Sequence, residues 1–259
     1  MKADRWTLLL DTARPGWENM AIDCALLDLA AAEGAAFLRI YRWEPFCLSF
    51  GRHEPATRRY DRERIRELAL DCVRRPTGGR AVWHARELTY AVAAPLAVFG
   101  GMQQAYRRIH AVLAEALALL GARAELAGSP ASRELPPAAG PCFSAPAGGE
   151  LMLEHRKVAG SAQLRQGQAF LQHGSLLLED DQSLVRGLAG LTGPGGAETS
   201  LSVALGRSVS FTEAADALAA AAGPLLDSPL HRTTLPPAIA TLAEQHRDRY
   251  RDPAWTWQR

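Results

Sequence analysis

At 259 residues, 47% hydrophobic and 22% charged, the chain has the size and composition of a globular enzyme: one large domain, or a domain with a small appendage. A formal net charge of +1 gives no global pull toward nucleic acid or a membrane surface. The first residues, Met1-Lys-Ala-Asp-Arg-Trp6, carry no apolar run of signal-peptide length and no later run is long enough to span a bilayer, so a cytoplasmic location is expected.

Trp6-Thr-Leu-Leu-Leu-Asp11 reads as a short buried strand. A helix follows from about Gly16 to Ala32, where Met20, Cys24, Leu27 and Ala31 form a stripe widened by Ile22, Leu26 and Leu29; so broad an apolar face predicts deep burial against a sheet. Strands are expected at Phe37–Arg42, at Cys47–Phe50 after the Glu44-Pro45 turn, at Asp71–Arg75, at Ala81–His84 and at Leu88–Ala93. Asp61 is placed to cap a helix reaching about Leu70, and Met102–Leu120 repeats apolar residues at helical spacing. A Gly/Pro/Ala/Ser-rich connection runs from Gly128 to Pro141. Glu150 to Leu178 then alternates as strand, turn and further strands. A short helix is expected at Asp181–Leu191, with a linker at Thr192–Gly196. Ser210-Phe-Thr-Glu213 is a capping-box pattern opening an alanine-rich helix to Ala222, and Pro236-Pro237 opens a last helix through Tyr250. The pattern is α+β: a mixed, largely antiparallel sheet with long helices packed across one face. Residues 1–191 are expected to form the catalytic domain and 192–259 a small helical extension packed on it.

Four stretches carry residues suited to chemistry. Arg74-Arg75-Pro76-Thr77-Gly78-Gly79-Arg80 leaves one strand and returns to another; two glycines free backbone N–H groups for an anion-binding concavity, and the arginines add charge. His84 sits at its rim; alone, it reads as a satisfied structural histidine. Lys157 opens a strand beside Gly160-Ser161-Ala162, where small side chains let a ligand approach the main chain. Lys2 and Lys157 are the only lysines of an arginine-rich chain, although Lys157 taken alone reads as a solvated strand-end residue. His173-Gly174-Ser175 follows on the next strand. Among the cysteines, Cys24, Cys47 and Cys72 read as small buried hydrophobes. Cys142 differs, lying in the turn-rich run Gly140-Pro-Cys-Phe-Ser-Ala-Pro146. No CxxC pair and no Cys/His cluster at zinc spacing occurs, so no metal site is expected.

In order and spacing these stretches resemble the lipoate-protein ligase A/B family, from Trp6 through Leu178. Asn19-Met-Ala-Ile-Asp23 resembles its first-helix signature and Arg74–His84 its acyl-binding loop. Lys157-Val-Ala-Gly-Ser-Ala-Gln163 resembles its lysine strand and Gln172-His-Gly-Ser175 the strand after it. The chain is most similar to the octanoyltransferase branch that uses cysteine: Cys142-Phe143, Pro146, Glu150 and Lys157 match that branch's cysteine-containing segment. Three departures stand out: Ala85 where an acidic residue is common, Ala147-Gly-Gly149 where an aromatic pair is expected, and Arg52-His53 after the matching Ser49-Phe-Gly51.

The resemblance implies the mixed-sheet catalytic fold shared with biotin-protein ligases. It also implies transfer of an octanoyl group from octanoyl-acyl carrier protein to a lysine of a lipoyl-domain protein, either a glycine-cleavage carrier or a dehydrogenase E2 subunit. In that reading Cys142 carries the acyl group and Lys157 favours its thiolate. Arg74, Arg75, Thr77, Gly78, Gly79, Arg80, His84, Gly160, Ser161, Ala162, His173 and Gly174 bind substrate, no cofactor is required, and the length permits a monomer. Two other readings share the residues. An ATP-dependent lipoate-protein ligase would need ATP and magnesium and leave Cys142 incidental, and a non-catalytic module would only hold lipoyl-domain or acyl-carrier partners.

Overall fold

A computed structural model of the chain describes residues 6–127, 150–179, 182–191, 197–226 and 229–259. The strands are β1 (Trp6–Arg14), β2 (Ala36–Trp43), β3 (Cys47–Phe50), β4 (Asp71–Arg74), β5 (Val82–His84), β6 (Glu87–Pro95), β7 (Glu125–Leu126), β8 (Leu151–Leu153), β9 (Arg156–Gln166), β10 (Ala169–Leu177) and β11 (Leu230–Thr233). The helices are α1 (Gly16–Glu33), α2 (Ala56–Arg59), α3 (Arg62–Glu67), α4 (Met102–Leu119), α5 (Ser183–Leu188), α6 (Leu201–Leu205), α7 (Phe211–Leu226), α8 (Pro237–Arg251) and α9 (Pro253–Thr256). Eight strands make one sheet in the order β11-β1-β2-β6-β10-β9-β8-β7, and β4-β3-β5 make a second, small one. In the large sheet β1 runs parallel to β2 and β11, and every other pairing is antiparallel. The parallel pair β1–β2 needs a crossover, and α1 supplies it.

The period of two along the central strands decides which side chain meets which helix. Leu38 and Ile40 of β2, Leu88, Tyr90 and Val92 of β6, and Phe170 and Leu176 of β10 share one core with Ile109, Leu113 and Leu117 of α4 and Leu218 and Ala222 of α7. The opposite side of the same strands (Phe37, Tyr41, Ala91, Ala93, Leu171) packs with Met20, Ile22, Leu26 and Leu27 of α1, which α8 covers through Ile239, Ala243 and Tyr250. Helices therefore cover both faces, not the one face expected. Alternation still marks each strand, but both of its registers are apolar or buried, so the sheet demands two covering layers.

Two capping expectations hold in detail. Asp61 accepts a hydrogen bond from the Arg64 backbone N–H at 2.9 Å, and Ser210 Oγ accepts one from Glu213 N–H at 3.1 Å. The segment after residue 191 is more than helical: β11 pairs with the edge of β1, and α7 shares the core of the large sheet. Among the described residues no helix is long and apolar enough to cross a membrane. Cys142 and the 128–141 connection lie outside the described residues, as does the 192–196 linker.

Candidate active site

Between α1, the large sheet and the small sheet lies a cavity of about 370 Å3, mouth included. Its floor is a cross-strand row: Gly160 of β9 lies opposite Ser175 of β10, Ser175 opposite Thr89 of β6, and Thr89 opposite Tyr41 of β2. Three small residues in line leave a trough that Tyr41 and Trp43 close at the β2 end. Ala162 and His173 lie opposite each other in the neighbouring row. Met20 of α1 forms one wall, and Ser49, Arg75, Val82 and His84 of the small sheet form the roof. A side chain at Gly174 would meet the Gly160 carbonyl oxygen at 2.4 Å, so glycine lets β9 and β10 close here.

The polar groups around the trough satisfy one another. Asp23 of α1 accepts from Tyr41 OH at 2.8 Å and lies 3.0 Å from His173 Nδ1. A carboxylate only accepts, so Nδ1 carries a proton toward it, and Nε2 lies 2.6 Å from Thr77 Oγ1. That contact docks the Arg74–Arg80 loop onto β10. Asp23 is itself held by Arg39, which is completely buried and also bonds Asn19 and Asp11. Asn19 in turn donates to the carbonyls of Arg14 and Arg42, tying α1 to the ends of β1 and β2. The Asn19–Asp23 signature is thus the scaffold of the site.

Across the trough, Arg75 donates to Ser49 O and Oγ (3.0 and 2.9 Å) and to the carbonyls of Gly78 and Arg80 (3.0 and 2.6 Å). Its guanidinium braces its own loop from inside. Ser49 Oγ, already accepting from Arg75, gives its hydrogen to His84 Nε2 at 2.7 Å. His84 Nδ1 then faces Ser175 Oγ at 3.2 Å and Glu87 at 3.4 Å, while its ring stacks on Trp43 with centroids 4.1 Å apart. Burial pushes the His84 imidazole below its ordinary value of 6.5. The long contact to Glu87 opposes this without overcoming it, and the Arg75 and His173 charges act in the same direction as burial. The unfolded chain therefore takes up this proton near pH 6.5 while the folded one does so only at lower pH. The stability His84 contributes is full above that value and declines as pH falls from it toward the folded pKa. Urea denaturation should show a shallower loss of stability between pH 7.5 and 5.5 in His84→Gln than in wild type; equal slopes would remove His84 as the cause.

The structure separates residues that the sequence grouped. Arg75, His84, Gly160, Ser161, Ala162, His173 and Gly174 line the cavity; Arg74, Thr77, Gly78, Gly79 and Arg80 do not. Arg74 was expected to bind substrate, but adjacent strand residues face opposite ways, and it points to the far side. There it donates to the carbonyls of Gly51, Glu54 and Thr256 at 2.6, 2.9 and 3.0 Å, anchoring the C-terminal turn to the small sheet. Gly78 and Gly79 matter through shape. Gly79 takes a positive φ of 91°, and any side chain at Gly51 would sit 1.8 Å from the Gly79 carbonyl oxygen. Gly51→Ala must displace that turn and with it the braces of Arg75 and Thr77. A loss of about 1–3 kcal/mol is expected, read by urea denaturation; wild-type stability in the variant would show the turn free to move.

Lys157 is not the solvated strand-end residue that its composition suggests. It is 1% exposed and donates to Glu150 Oε1 at 2.5 Å, three residues before Gly160 on β9 and outside the cavity lining. Its backbone N–H and C=O bond Ala197 and Thr199. Of the other thiols, Cys24 and Cys72 are pushed up to about 12, and Cys47 is also raised, all chiefly by burial. None of the three is a thiolate at neutral pH. Sequence reading did not single out Tyr41, Trp43 or Thr89 for the site, and Met20, Val82 and Ser175 entered only as members of longer motifs. The available signal was a small polar residue, Thr89 or Ser175, on the buried side of a core strand.

Comparison with known proteins agrees with this architecture. The family model for the lipoyl protein ligase A/B catalytic domain matches residues 15–223. The octanoyltransferase LipM of Symbiobacterium thermophilum is 40% identical over 233 residues, 83% of this chain and 84% of that protein. LipM of Exiguobacterium sibiricum is 36% identical over 98% of this chain and 99% of its own. The crystal structure of a lipoate-protein ligase A bound with ATP superposes with a TM-score of 0.82 at 20% identity, over 98% of both chains. With a family model matching most of its length and a relative 40% identical over 83% of it, the chain belongs to the lipoyl protein ligase A/B catalytic-domain family.

Proposed function

We propose that the protein is an octanoyltransferase of protein lipoylation, moving an octanoyl group from octanoyl-acyl carrier protein to a lysine of a lipoyl-domain protein. The observation that carries this reading is the full-length similarity to octanoyltransferases. The cavity is consistent with it. Its histidines and tyrosine are bonded to Asp23, Thr77, Ser49 and Ser175 and its arginine to Ser49 and loop carbonyls, while Met20, Val82, Ala162 and glycines line much of the remainder, for which an alkyl chain is a complementary guest. Each methylene buried there contributes about 0.8 kcal/mol.

In the proposed cycle the Cys142 thiolate attacks the octanoyl thioester carbon, the carrier thiolate leaves and takes up a proton, and the acyl group rests on sulfur. The acceptor lysine, as its free amine, then attacks that thioester; an amide forms, the C–S bond breaks, and Cys142 is regenerated. Cys142 lies eight residues before Glu150 in the sequence, and the buried Lys157–Glu150 pair supplies a cation to favour the thiolate and a carboxylate to exchange protons with it. The acceptor is a glycine-cleavage carrier or a dehydrogenase E2 subunit, and the enzyme acts as a cytoplasmic monomer without ATP.

Intact-mass spectrometry of the protein mixed with octanoyl-acyl carrier protein, without ATP, tests this. One hydroxylamine-labile octanoyl group on the protein, passed on when a lipoyl domain is added, is expected. An unmodified protein that releases pyrophosphate from ATP in the presence of lipoate would make it a ligase; partner binding with neither reaction would make it a carrier-binding module.

A further inference from the structure

Trp43 lines two cavities at once. On one side is the trough described above; on the other is a groove of about 860 Å3, mouth included, bordered by Ala85, Glu87 and Phe211. No other described residue lines both. The indole is 3% exposed and held from two directions: its Nε1 donates to Thr89 Oγ1 at 2.7 Å, and its face stacks on His84. Thr89 Oγ1, which lines the trough, passes its own hydrogen to Glu87, which lines the groove. The indole is therefore held in a fixed position between the two spaces.

We propose that Trp43 sets the length of acyl chain the enzyme accepts, by closing the end of the trough against the second groove. The inference rests on the octanoyl-transfer reading. If the thioester is handled at the β9 end, beside Gly160 and Lys157, the chain runs along Gly160, Ser175 and Thr89 toward β2. Three strand spacings, roughly 14 Å, separate β9 from β2, room for an extended eight-carbon chain before the indole is met. Longer chains collide with Trp43, whose hydrogen bond and stacking leave it no alternative position. Removing the indole joins the trough to the groove and supplies space for further methylenes.

The test is a competition between octanoyl- and dodecanoyl-acyl carrier protein at equal concentration, with the acyl groups on a lipoyl domain read by mass spectrometry. Wild type should transfer octanoyl almost exclusively. Trp43→Leu should raise the dodecanoyl-to-octanoyl ratio by about tenfold or more; Trp43→Phe, which keeps a ring and is the milder change, should raise it less. Adding Ala85→Phe to Trp43→Leu, which fills the groove beyond, should return the ratio toward wild type. A ratio, unlike a rate, does not depend on how much of a variant folds. An unchanged ratio in both Trp43 variants, with wild type still transferring octanoyl, overturns the partition alone. No octanoyl transfer by wild type overturns the functional reading and this inference with it.

Discussion

Cys142→Ala is expected to reduce octanoyl transfer by roughly 10^3-fold or more and to abolish the hydroxylamine-labile adduct, because removing a covalent nucleophile removes both half-reactions. Cys24→Ala and Cys72→Ala serve as matched controls. Their thiols are raised to about 12 by burial, and Cys24 is also committed to Tyr250 OH at 3.0 Å. Both controls should keep the adduct. Retention of more than about a tenth of wild-type transfer by Cys142→Ala, a loss of under 1.4 kcal/mol in transition-state stabilisation, would return Cys142 to an ordinary thiol and favour direct or ATP-dependent chemistry. Binding of the carrier protein, followed separately, should survive the substitution, since it removes only the sulfur atom that would carry the acyl group.

Arg39→Leu should cost about 3–5 kcal/mol of stability, the cost of leaving buried charges without their partner. Arg39 bonds Asp11 twice (2.7 and 3.0 Å), Asp23 at 2.8 Å and Asn19 at 2.7 and 3.1 Å, and lies 3.9 Å above the Tyr41 ring. Burial pushes the Asp11 carboxyl up, yet Arg39 and Arg14 together outweigh it and hold Asp11 below its ordinary value of 3.8. The stability contributed by Asp11 is therefore present above that value and lost as pH falls through the lowered folded pKa. Without Arg39 that acid limit should move upward. Urea denaturation at pH 7 measures the first effect, and a series from about pH 5 down to about pH 3 measures the second. A cost below about 1 kcal/mol, the worth of an exposed pair, would mean that water replaces the guanidinium. The same substitution should loosen Tyr41 and His173, which depend on Asp23 for their orientation, so activity should fall faster than the folded fraction.

The local elements were legible because their signals are local. The caps at Asp61 and Ser210, the alternation of β2 and β10, and the broad apolar face of α1 each depend on a handful of neighbouring residues. β11 was not legible: Leu230-His-Arg-Thr233 is short, largely polar and partly exposed, and it is a strand only because β1 offers it an unpaired edge. The second helical layer was missed for a related reason, since alternation reports that a strand has two faces without saying what covers the second.

For the site, sequence alone picked out candidate stretches by chemical type: the double-glycine loop, the buried-helix signature, the lysine strand and a thiol, Cys142, that lies outside the described residues. Tertiary structure decided which of two adjacent arginines lines the cavity: Arg75 turns inward and Arg74 toward the C-terminal turn. It also buried Lys157 against Glu150 and made Trp43 a wall between two spaces. Those assignments depend on register between strands far apart in sequence, and register is a property of the packed sheet that no single stretch contains.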